Sequence, residues 1–167
     1  MELFNLKNTE YFFDLLSACE AVRDSIIWHP ESNVLCHSLQ VFGHAMRESN
    51  DVDVILAALL HDVGKLIVMH GHEKESVNLL NQHISAKTLF LIKNHMRVKL
   101  LISGDMKKKQ KVLELVSNPW FAELVLMARW DVMGRNKHAN PVFDKEKIID
   151  QLNSKVVLPR EVLCKEI

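Results

Sequence analysis

The stretch Leu56-Ala-Ala-Leu-Leu-His-Asp-Val-Gly-Lys65 puts a histidine and an aspartate directly behind an apolar helical run. Successive helical residues point about 100° apart, so His61 and Asp62 can flank one cation lying over the helix. Buried together without an ion, the pair would need other partners for its polar atoms.

On either side of this doublet, apolar residues recur at spacings of three and four, which is the helical period. No stretch alternates over strand length. The pattern predicts helices over 9–28, 33–48, 52–68, 73–82, 86–101, 105–116, 119–133 and 144–153. Pro30 divides the first from the second. Asn118 before Pro119 reads as an N-cap with proline at the first helical position, and Asp144 as the N-cap of the last helix. Gly71, Gly104 and Gly134 mark chain turns. The tail after about 154 has a weaker pattern and is interrupted by Pro159. The expected fold class is therefore all-α. One domain over 1–167 is expected, because domains usually hold about 100–200 residues and no repeat or Pro/Gly/Ser-rich linker divides the chain.

Hydrophobic residues make up 48% and charged residues 25%, an ordinary balance for a globular chain with one core. Lys plus Arg and Asp plus Glu each number 21. Zero net charge gives no general case for a nucleic-acid or membrane partner, although a nucleic-acid end stays open as a substrate. No run approaches the roughly 18 apolar residues of a membrane span, and no basic region leads into an apolar stretch at the N-terminus. The expected location is the cytoplasm. Cys19, Cys36 and Cys164 form no Cys-x-x-Cys pair and are odd in number, so they are expected reduced and mostly buried. Nine histidines in 167 residues invite a search for a metal site.

His37 lies 13 residues before a turn expected at Asn50 (50 − 37), and His61 lies 11 after it (61 − 50). In an antiparallel helix pair these offsets differ by about 3 Å along the axis, at roughly 1.5 Å per residue. The two imidazoles then sit at nearly one height. His72 and His95 flank a turn near Ile84 with offsets of 12 and 11 (84 − 72 and 95 − 84) and can meet across a second hairpin. Asp131 follows the largely apolar stretch Leu124-Val-Leu-Met-Ala-Arg-Trp130, where an unpaired carboxylate is costly and a cation would neutralise it.

The order histidine, His-Asp doublet, distant aspartate, here His37, His61-Asp62 and Asp131, resembles the HD-domain superfamily of metal-dependent phosphohydrolases. Val63-Gly64-Lys65 after the doublet matches that family's His-Asp-x-Gly-Lys form. Gly71-His72-Glu73 with Ser76 and Leu79-Leu80, then Asn94-His95, are similar to the HD domain of bacterial CCA-adding enzymes, as is Asp131-Val-Met-Gly-Arg135. The resemblance covers roughly 33–136. It implies a compact helical HD-domain bundle. It also implies one or two divalent ions held by His37, His61, Asp62, His72, His95 and Asp131. So many imidazoles suit Mn, Fe, Co, Ni or Zn better than Mg alone. Asp62 and Lys65 are the expected catalytic residues, and Lys65, Arg97 and Arg135 the expected contacts to substrate phosphate.

Three departures narrow the activity. The chain has no room for the nucleotidyltransferase domain that precedes the HD domain in CCA-adding enzymes, so CCA addition is not expected. Met96-Arg97-Val98 does not resemble the Gly-Tyr-Pro signature of cyclic-di-GMP phosphodiesterases. Lys65 stands where deoxynucleoside 5′-monophosphatases have a glutamate in that region. The expected activity is hydrolysis of a phosphate monoester or phosphodiester, on a phosphorylated small molecule, a nucleotide or a nucleic-acid end. A di-iron oxygenase of the same superfamily and a non-catalytic nucleotide-binding module are the alternatives. His70 competes with His72 for the ligand role. His29, His44, His83 and His138 carry no expected role. The basic run Lys107-Lys-Lys-Gln-Lys111 reads as a solvated face, and Trp28, Trp120 and Trp130 as core or interface.

Overall fold

The apolar run ahead of the doublet is enclosed on every side, with Val54 through Leu60 each no more than 6% exposed. A helix apolar all round belongs at the centre of its fold. The computed structural model describes residues 4–25, 30–31 and 33–156. In chain order its helices are α1 (Leu6–Cys19), α2 (Val34–Glu48), α3 (Val52–Leu60), α4 (His72–Leu80), α5 (Ala86–Ile102), α6 (Lys109–Val116), α7 (Phe121–Met133) and α8 (Lys145–Asn153). A 3₁₀ turn over Val63–Leu66 joins α3 to α4. No strand occurs among the described residues, so the all-α expectation holds.

Central α3 packs against α2, α5 and α7, while α4 lies across α5 and the 3₁₀ turn. Ile55, Leu59, Leu91, Leu124, Met127 and Trp130 are among the side chains filling the space between them. Trp130 is fully buried and donates its indole N–H to Glu48 Oε2 at 2.9 Å. α1 rests on the 3₁₀ turn, α2 and α8. The starts of these helices are set by short polar side chains that accept orphan N–H groups: Asn33 for α2, Asp51 for α3, Ser85 for α5 and Asp144 for α8.

Several expected boundaries move for identifiable reasons. α1 begins at Leu6 because Asn5 and Asn8 form a reciprocal capping box. It ends at Cys19, far short of 28, because Glu20, Ala21 and Val22 donate to carbonyls three residues back. The Val22 carbonyl then accepts from Val34 N at the start of α2. Positions 26–28 of that expected helix lie outside the described residues. The expected helix 52–68 stops at Leu60, because Ser76 Oγ donates to the His61 carbonyl and accepts from Gly64 N. Lys65 N turns to Asp62 O instead, which is a 3₁₀ bond. α6 starts four residues after 105, since Asp105 and Met106 both donate back to Leu100 O past the left-handed Gly104 (φ 78°). Asn118 does accept a backbone bond, from Trp120 N, but regular helix begins only at Phe121.

Cys19 is buried, which pushes its thiol up to about 12, and Cys36 is half-buried; both are free thiols. Cys164, Trp28 and His29 lie outside the described residues. No helix among the described residues is long and apolar enough to cross a membrane.

Candidate metal centre

Four histidines converge with their rings already oriented. His61 Nδ1 donates to Ala58 O (3.0 Å), His72 Nδ1 to Met69 O (2.8 Å) and His95 Nδ1 to Ile92 O (2.7 Å). Each partner is the carbonyl three residues earlier, so the local backbone fixes each ring. His37 Nδ1 meets Glu31 Oε1 at 2.7 Å and Gly134 O at 3.2 Å. A carbonyl only accepts, so each Nδ1 carries a proton; His61, held neutral, presents its Nε2 lone pair, and His37 does so once its second proton is released. That is the tautomer a metal ligand requires.

The four Nε2 atoms surround Asp62. Its Oδ2 lies 3.5 Å from His61 Nε2 and 3.8 Å from His37 Nε2. Its Oδ1 lies 2.9 Å from His72 Nε2 and 3.6 Å from His95 Nε2. The result is two donor triads, His37–His61–Asp62 and Asp62–His72–His95, each with all its donor atoms within 4.8 Å of one another and all buried. Asp131 Oδ1 stands 3.3 Å from His37 Nε2.

Burial and charge are in tension here. Desolvation holds His61 down to about 3, so it is neutral. Burial would raise the Asp62 carboxyl, but His61, Lys65 and the bonds from His72 and His95 hold it well below the usual range. Asp131 is held down likewise, against its burial, by His37 and Lys99. For His37, burial lowers the pKa while hydrogen bonds to Asp131 and Glu31 outweigh it, giving about 9. His61 Nε2 is buried with no hydrogen-bond partner among the described residues. A cation between these donors satisfies that nitrogen and the crowded carboxylates together, and neutral imidazole with carboxylate is a suitable donor set for a first-row divalent ion. The residues fit the ion.

An HD-domain family model matches residues 34–132 of this chain. The chain belongs to the HD-domain family. The match spans all six expected ligands, from His37 to Asp131, and it carries the family's general character of metal-dependent phosphohydrolases. Asp24 and Glu31 lie before the matched stretch and Arg135 after it.

The structure brings together His37, His61, Asp62, His72, His95 and Asp131. His61 is the cap residue after α3 and Asp62 opens the 3₁₀ turn, so the doublet lies at the end of the helix and not along its side. His72 is the ligand-side histidine, and His70 is exposed at the mouth of the cleft. That cleft, of about 500 Å³, is lined by Asp62, Lys65, His72, Met69, Met96, Lys99 and Arg135 among others. Lys65 is buried, with Nζ 2.9 Å from Asp62 Oδ2 and 2.6 Å from Asp24 Oδ2. Arg135 Nη2 is 3.3 Å from Asp131 Oδ1.

Arg97 is a correction. It bonds Asn94 Oδ1 at 2.9 Å, lies 3.9 Å from Glu114, and does not line the cleft. Its place is taken by Lys99, whose Nζ pairs with Asp131 Oδ2. Residues four apart share a helix face, so Lys99 follows His95 into the cleft, whereas Arg97 is turned about 200° from His95. That spacing was the available signal for Lys99. Asp24 and Glu31, in the segment between α1 and α2, have no periodic signal of any kind.

Proposed function

We propose that this HD-domain protein hydrolyses a phosphate monoester or phosphodiester, carried by a nucleotide or a nucleic-acid end, with one or two divalent ions at the Asp62 centre. The observation that carries this reading is Asp62 between two pairs of histidine Nε2 atoms, opening onto a cleft whose cations are Lys65, Lys99 and Arg135. A divalent ion at such donors acidifies a coordinated water and offsets charge on phosphoryl oxygens. His37, His61, His72 and His95 would supply the nitrogens, Asp62 a carboxylate shared by both triads, and Asp131 a further oxygen. Lys65, already beside Asp62, orients an anionic oxygen and offsets the charge that develops on it. Lys99 and Arg135 hold Asp131 in place and present positive charge to an entering phosphate. The cleft has the size of small-molecule sites, which run to about 300–1,000 Å³.

The nucleic-acid part of the reading rests on the likeness of Gly71-His72-Glu73, Asn94-His95 and Asp131–Arg135 to the CCA-enzyme HD domain. The cationic lining favours a phosphoryl substrate over oxygen chemistry. The test is turnover in anaerobic buffer with Mn, Co or Ni, screened against nucleotides and phosphodiesters. Phosphate release or diester opening, lost in Asp62→Ala, is the expected result. Activity needing iron, reductant and oxygen would establish the oxygenase instead. Stabilisation by nucleotide with no turnover would mark a binding module. Lys65→Met should lower turnover about 100-fold or more, the scale for removing one donor to a developing oxyanion, while metal content stays near wild type. Equal loss of both would mean Lys65 supports the metal shell and not the substrate.

A further inference from the structure

The four histidines of the centre are not equivalent. His61, His72 and His95 each give Nδ1–H to a main-chain carbonyl. Among the described residues only the Nδ1 of His37 meets a carboxylate, Glu31 Oε1 at 2.7 Å, with the Gly134 carbonyl farther off at 3.2 Å. Glu31 is 1% exposed, and so is His37. A carboxylate so enclosed is an expensive feature unless something uses its charge. It comes from the segment ahead of α2, outside the stretch matched by the family model.

We propose that Glu31 is a positioning residue for the metal centre, tightening metal binding at the His37–His61–Asp62 end by acting through His37. The inference rests on the reading of His37 as a ligand. A charged acceptor forms a stronger bond with an imidazole N–H than a neutral carbonyl does. It draws the Nδ1 proton outward and leaves more electron density on Nε2, which faces Asp131 and Asp62. It also fixes the ring plane from the side opposite the metal. Among the described residues the Asp62–His72–His95 end has no such partner on its histidines, whose Nδ1 atoms meet carbonyls. The two ends of the centre therefore differ in affinity, and Glu31 contributes to that difference.

The test uses Co2+ absorption and calorimetric titration of the full chain in a His95→Ala background, where the dissociation constant reports the His37 end. Glu31→Gln keeps the shape and a hydrogen-bond acceptor but removes the charge. It should weaken Co2+ binding by about 10- to 100-fold, the usual scale for a partner of a metal-ligating histidine, and shift the Co2+ spectrum. Glu31→Ala should weaken it at least as much. If Glu31→Ala fails to fold, Glu31→Gln, checked by near-UV circular dichroism, still decides. Glu31→Gln binding within twofold of its parent overturns the inference and leaves the metal reading intact. No Co2+ binding by the unsubstituted chain would overturn both, and binding by that chain with none by the His95→Ala parent would overturn the inference alone. The unsubstituted chain loaded with Zn2+ offers a second measurement: the His37 Nδ1 proton should resonate downfield of those of His61, His72 and His95. Coincident resonances would also overturn the inference.

Discussion

Gly64→Ala tests how the centre is assembled. A Cβ at Gly64 would lie 2.1 Å from the His72 carbonyl, 2.5 Å from Ser76 N and 2.8 Å from Ser76 Oγ. Two of these atoms are backbone, so no rotamer change relieves the clash. Reaching ordinary van der Waals separation, 3.4 Å or more, requires α4 to retreat from the 3₁₀ turn by at least about 1.3 Å (3.4 − 2.1). Overpacking of this sort costs about 1–3 kcal/mol. The retreat also opens the Ser76 bridge, which accepts from Gly64 N at 2.9 Å and donates to His61 O at 2.8 Å, at about 1 kcal/mol per bond. The total is about 3–5 kcal/mol. At about 2–4 °C per kcal/mol for a chain of this size, the melting temperature should fall by roughly 6–20 °C. The movement takes His72 away from Asp62, now 2.9 Å apart, so the Asp62–His72–His95 triad should lose its ion. Thermal melts with and without Mn2+, together with elemental analysis, measure both effects. Gly43→Ala is the contrast. Its Cβ meets nothing closer than Arg47 Nη1 at 3.6 Å inside α2, so it should stabilise by about 0.5–1 kcal/mol. A Gly64→Ala protein with wild-type melting temperature and metal content would refute the reasoning.

Asp62→Ala should abolish metal retention at both triads at once, because both include this carboxylate; equilibrium dialysis that still finds one tightly held ion would show the triads to be independent. In metal-free protein, stability should peak in the neighbourhood of pH 6.5, read by denaturant midpoints across pH. His61, held to about 3 by burial, contributes fully above its ordinary 6.5, and that contribution fades as pH falls below it. His37 has burial overcome by its bonds to Asp131 and Glu31; at about 9 it contributes fully below 6.5, and its share is lost as pH climbs through 9. Metal affinity should rise with pH toward 9, on the order of tenfold per unit, since His37 must release one proton to bind an ion. A flat profile in a non-coordinating buffer would show that His37 is not a ligand.

The helical period alone put His37 level with His61 and His72 level with His95, and the ring centroids lie 5.3 Å and 5.1 Å apart. That worked because both hairpins have short turns and helical rise is uniform, so counting residues measures height. Asp131 was legible for a different reason: a carboxylate behind a run of apolar residues has few tolerable environments. These arguments need only local geometry and solvation, which a single chain carries within itself.

The rest depends on which surfaces meet. The helical pattern could not end α3 at Leu60, because the interruption comes from Ser76, 15 residues beyond His61 and on another helix. Nor could it pair Lys99 with Asp131: the four-residue spacing from His95 sets Lys99 apart from Arg97, but the ion pair exists only where α5 lies against α7. Asp24 on Lys65 and Glu31 on His37 come from the segment between α1 and α2, where no repeat fixes a direction. Sequence by itself thus determined the helices, the apolar core and the donor atoms of the centre, since periodicity and the cost of burying charge are local properties. Only the tertiary structure decided the ion pairs around those donors, because a charge finds its partner through space, at distances that spacing along the chain does not encode.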